Sequence, residues 1–493
     1  MSESLMLQPA TKLAQMIRSK AISSSELIDA AFAMIDKQNP QLNAVISERR
    51  EAAKKEASQL QDHGQPFLGV PLLLKGLGQT KAGLPSTNGN RLFADNVAKR
   101  SSNFTKALEA AGFIIIGQTN YPEFGFKNIT DSKVYGDAHN PWNLDYYPGG
   151  SSGGAGAAVA AGIIPLAAAS DGGGSIRIPA SWTGTIGLKP TRGRIVTGPV
   201  DWRSWQGAAG NFAITRSVTD TAQLLDCLQA LQPAAVFQVP LNKEGFVNQL
   251  TAKLNLTVGY TTVSPVGTPV DPEAVAAVKE AVVFLESQGI KTEKVAWPTD
   301  GKRLMDTYYL MNEGETAAMF DQIEAGLGRH VTSNDMEPLT WALYQTGTHV
   351  TASQYSQALS TWDYAGEQMA KFHEKYDLLL TPTTAMTAPK IDEPLNTPTE
   401  IDTMLHITEL SPKEQQQFIW DQWLAALTQS PFTQQANLTG EPAISLPTHV
   451  AETGLPIGIQ FVAGKGQESQ LLQIAKLFED HHQFKFLQST TSH

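Results

Sequence analysis

Two serines, Ser151 and Ser175, lie in glycine-dense segments, Gly149-Gly150-Ser151-Ser152-Gly153-Gly154 and Gly172-Gly173-Gly174-Ser175. A hydroxyl flanked by residues without side chains is open to a substrate, and so are the neighbouring backbone N–H groups. That pairing is what a serine nucleophile and an oxyanion hole require. A serine hydroxyl attacks only once a base takes its proton. Of the ten histidines only His139 is close in sequence to either cluster, although pairing across a long chain separation stays open. Lysine is the other candidate base, and Lys75 directly follows the apolar run Val70-Pro71-Leu72-Leu73-Leu74. Neutralising a lysine at pH 7 from its ordinary value of about 10.4 costs about 4 kcal/mol, and burial is the available lever. A solvated strand end is the bland alternative for Lys75.

These groups need elements to hold them. Gly69 to Leu74 reads as a buried strand that ends at Lys75. Ser23-Ser24-Ser25-Glu26 fits a capping box, with Leu27, Ile28, Ala31 and Ile35 at helical spacing. A helix over Phe104–Ala111 stops at Gly112, and Phe113–Ile116 reads as the next buried strand, a step typical of α/β folds. The small residues Gly153–Ala161 suggest a closely packed helix, and Ile163–Ala169 a strand leading to the second glycine cluster. Asp271–Gln288 is a helix with Pro272 in its first turn and Gly289 after its end. Helical text fills roughly 301–376. Leu378–Leu380, Ala443–Leu446 and Ile457–Ala463 read as strands, and Ser469–Asp480 as a helix.

The chain has 493 residues, 41% hydrophobic and 17% charged, an ordinary globular balance. Its net charge of −11 argues against nucleic acid or an anionic membrane as the main partner. A small or neutral partner fits better. The single cysteine, Cys227, excludes an intramolecular disulfide and multi-cysteine metal sites, and its helical pattern suggests a buried core thiol. Met1-Ser2-Glu3-Ser4-Leu5 carries no secretory pattern, and the most apolar stretch, Ala155–Ala169, is too short to span a bilayer. A cytoplasmic location is therefore expected. The Asn-x-Ser/Thr matches at Asn103, Asn128, Asn255 and Asn437 read as chance. The mild polarity shift near 235–255 forces no boundary.

The spacing of Lys75, Ser151 and Ser175 and the text between them resemble the amidase signature family. The matching segments include Asp171-Gly172-Gly173-Gly174-Ser175-Ile176-Arg177-Ile178-Pro179 and Gly187-Leu188-Lys189-Pro190-Thr191-Arg192-Gly193-Arg194. Gly440-Glu441-Pro442-Ala443-Ile444-Ser445-Leu446-Pro447 and Gly454-Leu455-Pro456-Ile457-Gly458-Ile459-Gln460 fit as well. The resemblance runs from Leu13 to about Glu479. Within the family, Asn140-Pro141-Trp142-Asn143-Leu144, the C-terminal text and the overall length look closest to the 6-aminohexanoate-cyclic-dimer hydrolase branch.

The resemblance implies an α/β fold with a large twisted mixed sheet covered by helices on both faces. It also implies one domain over 1–493, with a core at about 60–235 and 375–480 and a helical insert at about 300–430. Ser175 would be the nucleophile, Ser151 a bridging serine preceded by a cis peptide, and Lys75 the ultimate base and then acid. Backbone N–H groups of Gly172, Gly173, Gly174 and Ser175 would form the oxyanion hole, with Asp171 and Arg177 holding the loop; a surface ion pair is the alternative for those two. The implied reaction is amide hydrolysis through an acyl-enzyme, without metal or cofactor, by a monomer or homodimer. One departure stands out. The family usually has Asp after the lysine, and here that residue is Gly76.

Two rival readings remain. Gly149-x-Ser151-x-Gly153 matches the nucleophile elbow of α/β-hydrolases, but that motif needs a strand before the serine, and Asn143–Pro148 reads as a loop. The chain could also be the amidase-type subunit of a tRNA-dependent amidotransferase. No phosphate-binding glycine motif is present. Variable segments near 125–135, 200–210, 305–350 and 415–435 should shape the pocket. They hold Phe126, Trp202, Trp205, Tyr308, Tyr309, Trp341, Trp420 and Trp423, which suggests an apolar acyl site, and no charged residue stands out as a carboxylate clamp. A small neutral amide, cyclic amide, carbamate or ester is the expected substrate.

Overall fold

The computed structural model describes residues 5–251 and 254–487. Residues 1–4 of the leader reading, and 252–253 of the 235–255 seam, lie outside them. Thirteen strands are assigned there. They are β1 (Val45–Glu48), β2 (Pro71–Lys75), β3 (Ile114–Thr119), β4 (Asp131–Ser132), β5 (Gly136–Asp137), β6 (Ala167–Asp171) and β7 (Ile186–Lys189). The rest are β8 (Gly210–Thr215), β9 (Thr257–Tyr260), β10 (Lys291–Lys294), β11 (Leu378–Pro382), β12 (Ala443–Val450) and β13 (Pro456–Ala463). Strands β4 and β5 pair alone; the other eleven form one sheet in the order β1-β3-β2-β6-β8-β7-β12-β13-β11-β9-β10. The sheet is mixed. β2 runs parallel to β3 and β6, β9 parallel to β10 and β11, and the remaining neighbours are antiparallel.

Every residue of β2 and β3 is buried. Strands covered on both faces read as continuous apolar runs rather than alternating ones, which is why these two are plain in the sequence. The Ser24–Leu42 helix starts as expected: Ser23 accepts from the Glu26 N–H at 3.2 Å, and the Glu26 carboxylate accepts from the Ser23 N–H at 2.8 Å. The helix Gly153–Ala160 is buried along its whole length against the sheet. Three helices, Gly301–Leu327, Pro338–Gly347 and Ala352–His373, fill the stretch read as helical, and Pro412–Gln429 joins the first two around an aromatic cluster.

Two expectations shift. The strand placed at Ile163–Ala169 starts only at Ala167, because Pro165 keeps the preceding residues out of the ladder. Cys227 is half-buried at the core's edge, and burial pushes its thiol up to about 11. No helix of the described residues is long and apolar enough to cross a membrane.

Candidate active site

Because β2 and β6 run parallel, their carboxyl ends point to the same edge of the sheet, and the crevice outside such ends is where open α/β sheets receive ligands. Lys75 is the last residue of β2; Ser170 and Asp171 close β6. The Lys75 side chain is fully buried. Its ammonium nitrogen donates to Ser151 Oγ at 2.7 Å and to Ser170 Oγ at 3.0 Å. Burial drives the Lys75 pKa down to about 7, against the opposing pull of the Asp171 carboxylate. A lysine titrating there can exchange a proton at neutral pH.

Ser151 precedes the Gly153–Ala160 helix, and the Gly150–Ser151 peptide bond is cis. A Cβ at Gly150 would fall within 2.6 Å of the Ile129 backbone, so only glycine permits this approach. No strand leads into Ser151, which removes the context a nucleophile elbow needs. Ser175 is half-buried and lines the same cavity as Ser151. Its hydroxyl has no hydrogen-bond partner among the described residues, so the structure brings Lys75 to Ser151 but does not link Ser151 to Ser175.

The glycine loop is held by a buried polar network. The Asp171 carboxylate accepts from the N–H groups of Gly174 at 2.7 Å and Ile176 at 3.1 Å. It also accepts from Arg177 Nε and Nη2, both at 2.9 Å, and from Asn437 Nδ2 at 2.9 Å. Arg177 completes its five donors on Thr433 O, Gln460 Oε1 and Asn437 Oδ1. Burial alone would raise the Asp171 pKa, but the Arg177 charge and hydrogen bonds, with that of Asn437, hold it well below the usual carboxylate range. The pair is therefore fully buried and not a surface contact.

One expected donor is otherwise engaged. The Gly174 N–H belongs to Asp171, whereas the N–H groups of Gly172, Gly173 and Ser175 have no partner among the described residues. The carbonyls of Gly172 and Gly173 accept from Tyr308 Oη at 3.1 Å and Thr433 Oγ1 at 2.6 Å. Those anchors fix how the two peptides face. Gly172, Gly173 and Ser175 thus keep unpaired N–H donors, the kind of group an oxyanion would need.

A cavity of about 550 Å³ opens from this point. Of the aromatics expected on its wall, Phe126, Trp202, Trp205, Tyr308, Tyr309 and Trp423 line it. Trp420 packs behind them, edge-on to Tyr309 with ring centres 5.3 Å apart, and Trp341 packs on Tyr344. Met305, Met319 and Leu427 also face the cavity. Charged residues on the wall are engaged: Lys127 pairs with Asp131 at 2.9 Å and Glu337 at 2.5 Å, and Arg192 donates to the carbonyls of Gly207, Asn437 and Leu438. Lys189 is buried, with its nitrogen 2.9 Å from Pro190 O; burial and then Arg177 push its pKa down to about 7.

Two wall residues keep an acceptor without a partner. Asn128 Nδ2 donates to Ala426 O at 3.1 Å and Gln434 Nε2 to Ser430 O at 2.9 Å. Backbone carbonyls only accept, so both side-chain nitrogens must face them. That leaves Asn128 Oδ1 and Gln434 Oε1 buried and unpaired beside the cavity. Sequence reasoning missed these two along with Ser170, Gln79, Tyr308's carbonyl contact, Thr433 and Asn437. Only Ser170 and Gln79 sat close enough in sequence to Asp171 and Lys75 to have been weighed.

The Amidase family profile matches residues 26–472. A lipoamidase of Enterococcus faecalis is 50% identical over 473 residues, which is 96% of this chain; the chain spans 63% of that relative's length. A 6-aminohexanoate-cyclic-dimer hydrolase of Paenarthrobacter ureafaciens is 35% identical over 487 residues, 97% of this chain and 96% of the relative. A solved structure of 6-aminohexanoate cyclic dimer hydrolase complexed with substrate matches with a TM-score of 0.86 at 34% identity, over 96% of this chain and 97% of that one.

Proposed function

Since the chain belongs to the amidase family of amide hydrolases, we propose that it cleaves the C–N bond of a neutral amide bearing a medium-length apolar acyl group, through an acyl-enzyme on Ser175. The observation that carries the mechanism is the buried Lys75 nitrogen 2.7 Å from Ser151 Oγ, in a setting that brings its pKa to about 7. Neutral Lys75 takes the Ser151 proton while Ser151 takes that of Ser175. When substrate fills the cavity, the Ser175 hydroxyl turns to Ser151; catalytic hydrogen bonds commonly tighten only in the complex.

Ser175 Oγ then attacks the carbonyl carbon, and the oxyanion rests on the N–H groups of Gly172, Gly173 and Ser175. Each such donor is worth about 3 kcal/mol in the transition state. Collapse breaks the C–N bond, and the lysine proton returns through Ser151 to the leaving nitrogen. Water repeats the sequence on the Ser175 ester and frees the acid.

The substrate side rests on the wall. Aromatic rings and Met305 and Met319 favour an apolar, polarisable acyl chain. The relatives named for lipoamide and a cyclic amide fit that description, and lipoyl amides are the first choice. The test is a purified single chain, without ATP, tRNA or partner, offered lipoyl-lysine, octanoyl amides, the 6-aminohexanoate cyclic dimer and matched esters. Hydrolysis of the apolar acyl amides is expected; turnover of esters alone would overturn the reading.

A further inference from the structure

The sequence places Gly76 where a carboxylate is expected, and the structure leaves no room for one. A Cβ at Gly76 would lie 2.3 Å from Tyr121 Cε1 and 3.2 Å from Ile46 Cδ1, and Tyr121 is buried. Something else must hold the strand end that carries Lys75. β2 stays paired with β3 as far as Lys75–Thr119, but with β6 it is paired only at Leu73–Ala167. The Gly76 N–H points to β3, onto Thr119 O. The Lys75 N–H, on the alternate side, faces β6.

Between Lys75 and β6 sits the side-chain amide of Gln79, 1% exposed. Its Oε1 accepts from the Lys75 N–H at 2.8 Å. Its Nε2 donates to Ala169 O at 2.9 Å and to Asn211 Oδ1 at 3.1 Å. The Lys75 N–H only donates and Ala169 O only accepts, so the amide can face one way alone. Gln79 thereby stands in for a peptide unit where β2 and β6 part. It ties Lys75 to Ala169, the neighbour of Ser170, and Asn211 is the β8 partner of Ser170. Ser151 and Ser170 are the two hydroxyls that receive the Lys75 nitrogen, so the spacing of Lys75 from Ser170 sets where that nitrogen rests.

We propose that Gln79 is a positioning residue: its amide, wedged between the splayed ends of β2 and β6, sets the Lys75 nitrogen on Ser151, the task that the expected residue after the lysine cannot perform in this chain. The inference rests on Lys75 being the base. Asp171 is the charge that otherwise acts on Lys75.

The test compares Gln79→Leu, which removes all three amide hydrogen bonds, with Gln79→Glu, which keeps the acceptor for the Lys75 N–H and loses the donors to Ala169 O and Asn211 Oδ1. For Gln79→Leu, kcat should fall about 10-fold or more while KM stays within about 2-fold, because the three hydrogen bonds lost hold Lys75 and do not touch the substrate. For Gln79→Glu, the added negative charge should move the acid limb of the kcat profile up by about half a pH unit or more, a loss of about 3-fold at pH 6. If Gln79→Leu does not fold, Asn211→Ala, on the half-buried cavity wall, carries the same test with an expected 2- to 5-fold fall in kcat. Variants that lose thermal stability yet keep the kcat and acid limb of the unmodified enzyme overturn the inference. Full activity in Lys75→Met would instead overturn the base assignment beneath it, so the two failures are separable.

Discussion

At the carboxyl ends of β2 and β6, all five Arg177 donors and both Asp171 oxygens are paired. Behind the aromatic wall of the cavity, where Gly301–Leu327 packs on Pro338–Gly347 and Pro412–Gln429, Glu313 Oε2, Thr316 Oγ1, Trp341 Nε1, Thr346 Oγ1 and Gln415 Oε1 are buried without partners. One wall is a closed polar network in which each bond fixes the next; the other is aromatic and sulfur packing with polar atoms left over. A closed network holds reacting atoms in place and tolerates no deletion. A packed apolar wall defines volume and can exchange residues of similar size at small cost. The first wall is thus suited to invariant chemistry, and the second to choosing an acyl group.

Deletions should therefore hurt most on the first wall. Lys75→Met should lower kcat/KM by about 10³-fold. The unmodified enzyme should lose activity as pH falls through about 7, since protonated Lys75 cannot accept from Ser151. An acid limb at pH 5 in both proteins would contradict this. Next in size is Arg177→Met, which leaves the Asp171 carboxylate buried without its guanidinium counter-charge and should destabilise the fold by about 3–5 kcal/mol at pH 7. The sign follows from the carboxyl: its low folded value contributes stability above the unfolded value of about 3.9, lost as pH falls toward the folded one. The variant's deficit should shrink below about pH 4, and a pH-independent deficit in denaturant titrations would argue against it.

On the second wall the effects are smaller. Glu313→Gln should stabilise the protein. Burial raises the Glu313 pKa to about 8, so the folded state retains a proton that the unfolded chain gives up above about 4.3. Stability from that carboxyl is lost as pH rises through this window, and the gain in Tm should be larger at pH 8 than at pH 5. An equal gain at both would show that ionisation is not the cause.

How much of this was legible in the sequence follows the same division. The glycine-flanked serines, Lys75 after its apolar run, and β2, β3, β11, β12 and β13 were readable because their signals are local and continuous. β10, Lys291-Thr292-Glu293-Lys294, was not: a polar strand at the sheet's edge carries no apolar pattern. Asn437, Thr433 and Tyr308 reach the glycine loop from more than a hundred residues away, and no spacing rule connects them. The sequence marks the Gly174 N–H as an oxyanion donor because it shows which amides are near a serine, not which carboxylate already holds one. Gln79 was four residues from Lys75 and still silent, since its role appears only where two strands separate.

The mechanism turns on which serine carries the acyl group. Incubation with a fluorophosphonate or a slow octanoyl amide at pH 8, followed by acid quench and peptide mass mapping, reads this directly. The adduct should sit on the Ser175 peptide, persist at a reduced rate in Ser151→Ala and vanish in Ser175→Ala. An adduct on Ser151, or full labelling in Ser175→Ala, would contradict the mechanism.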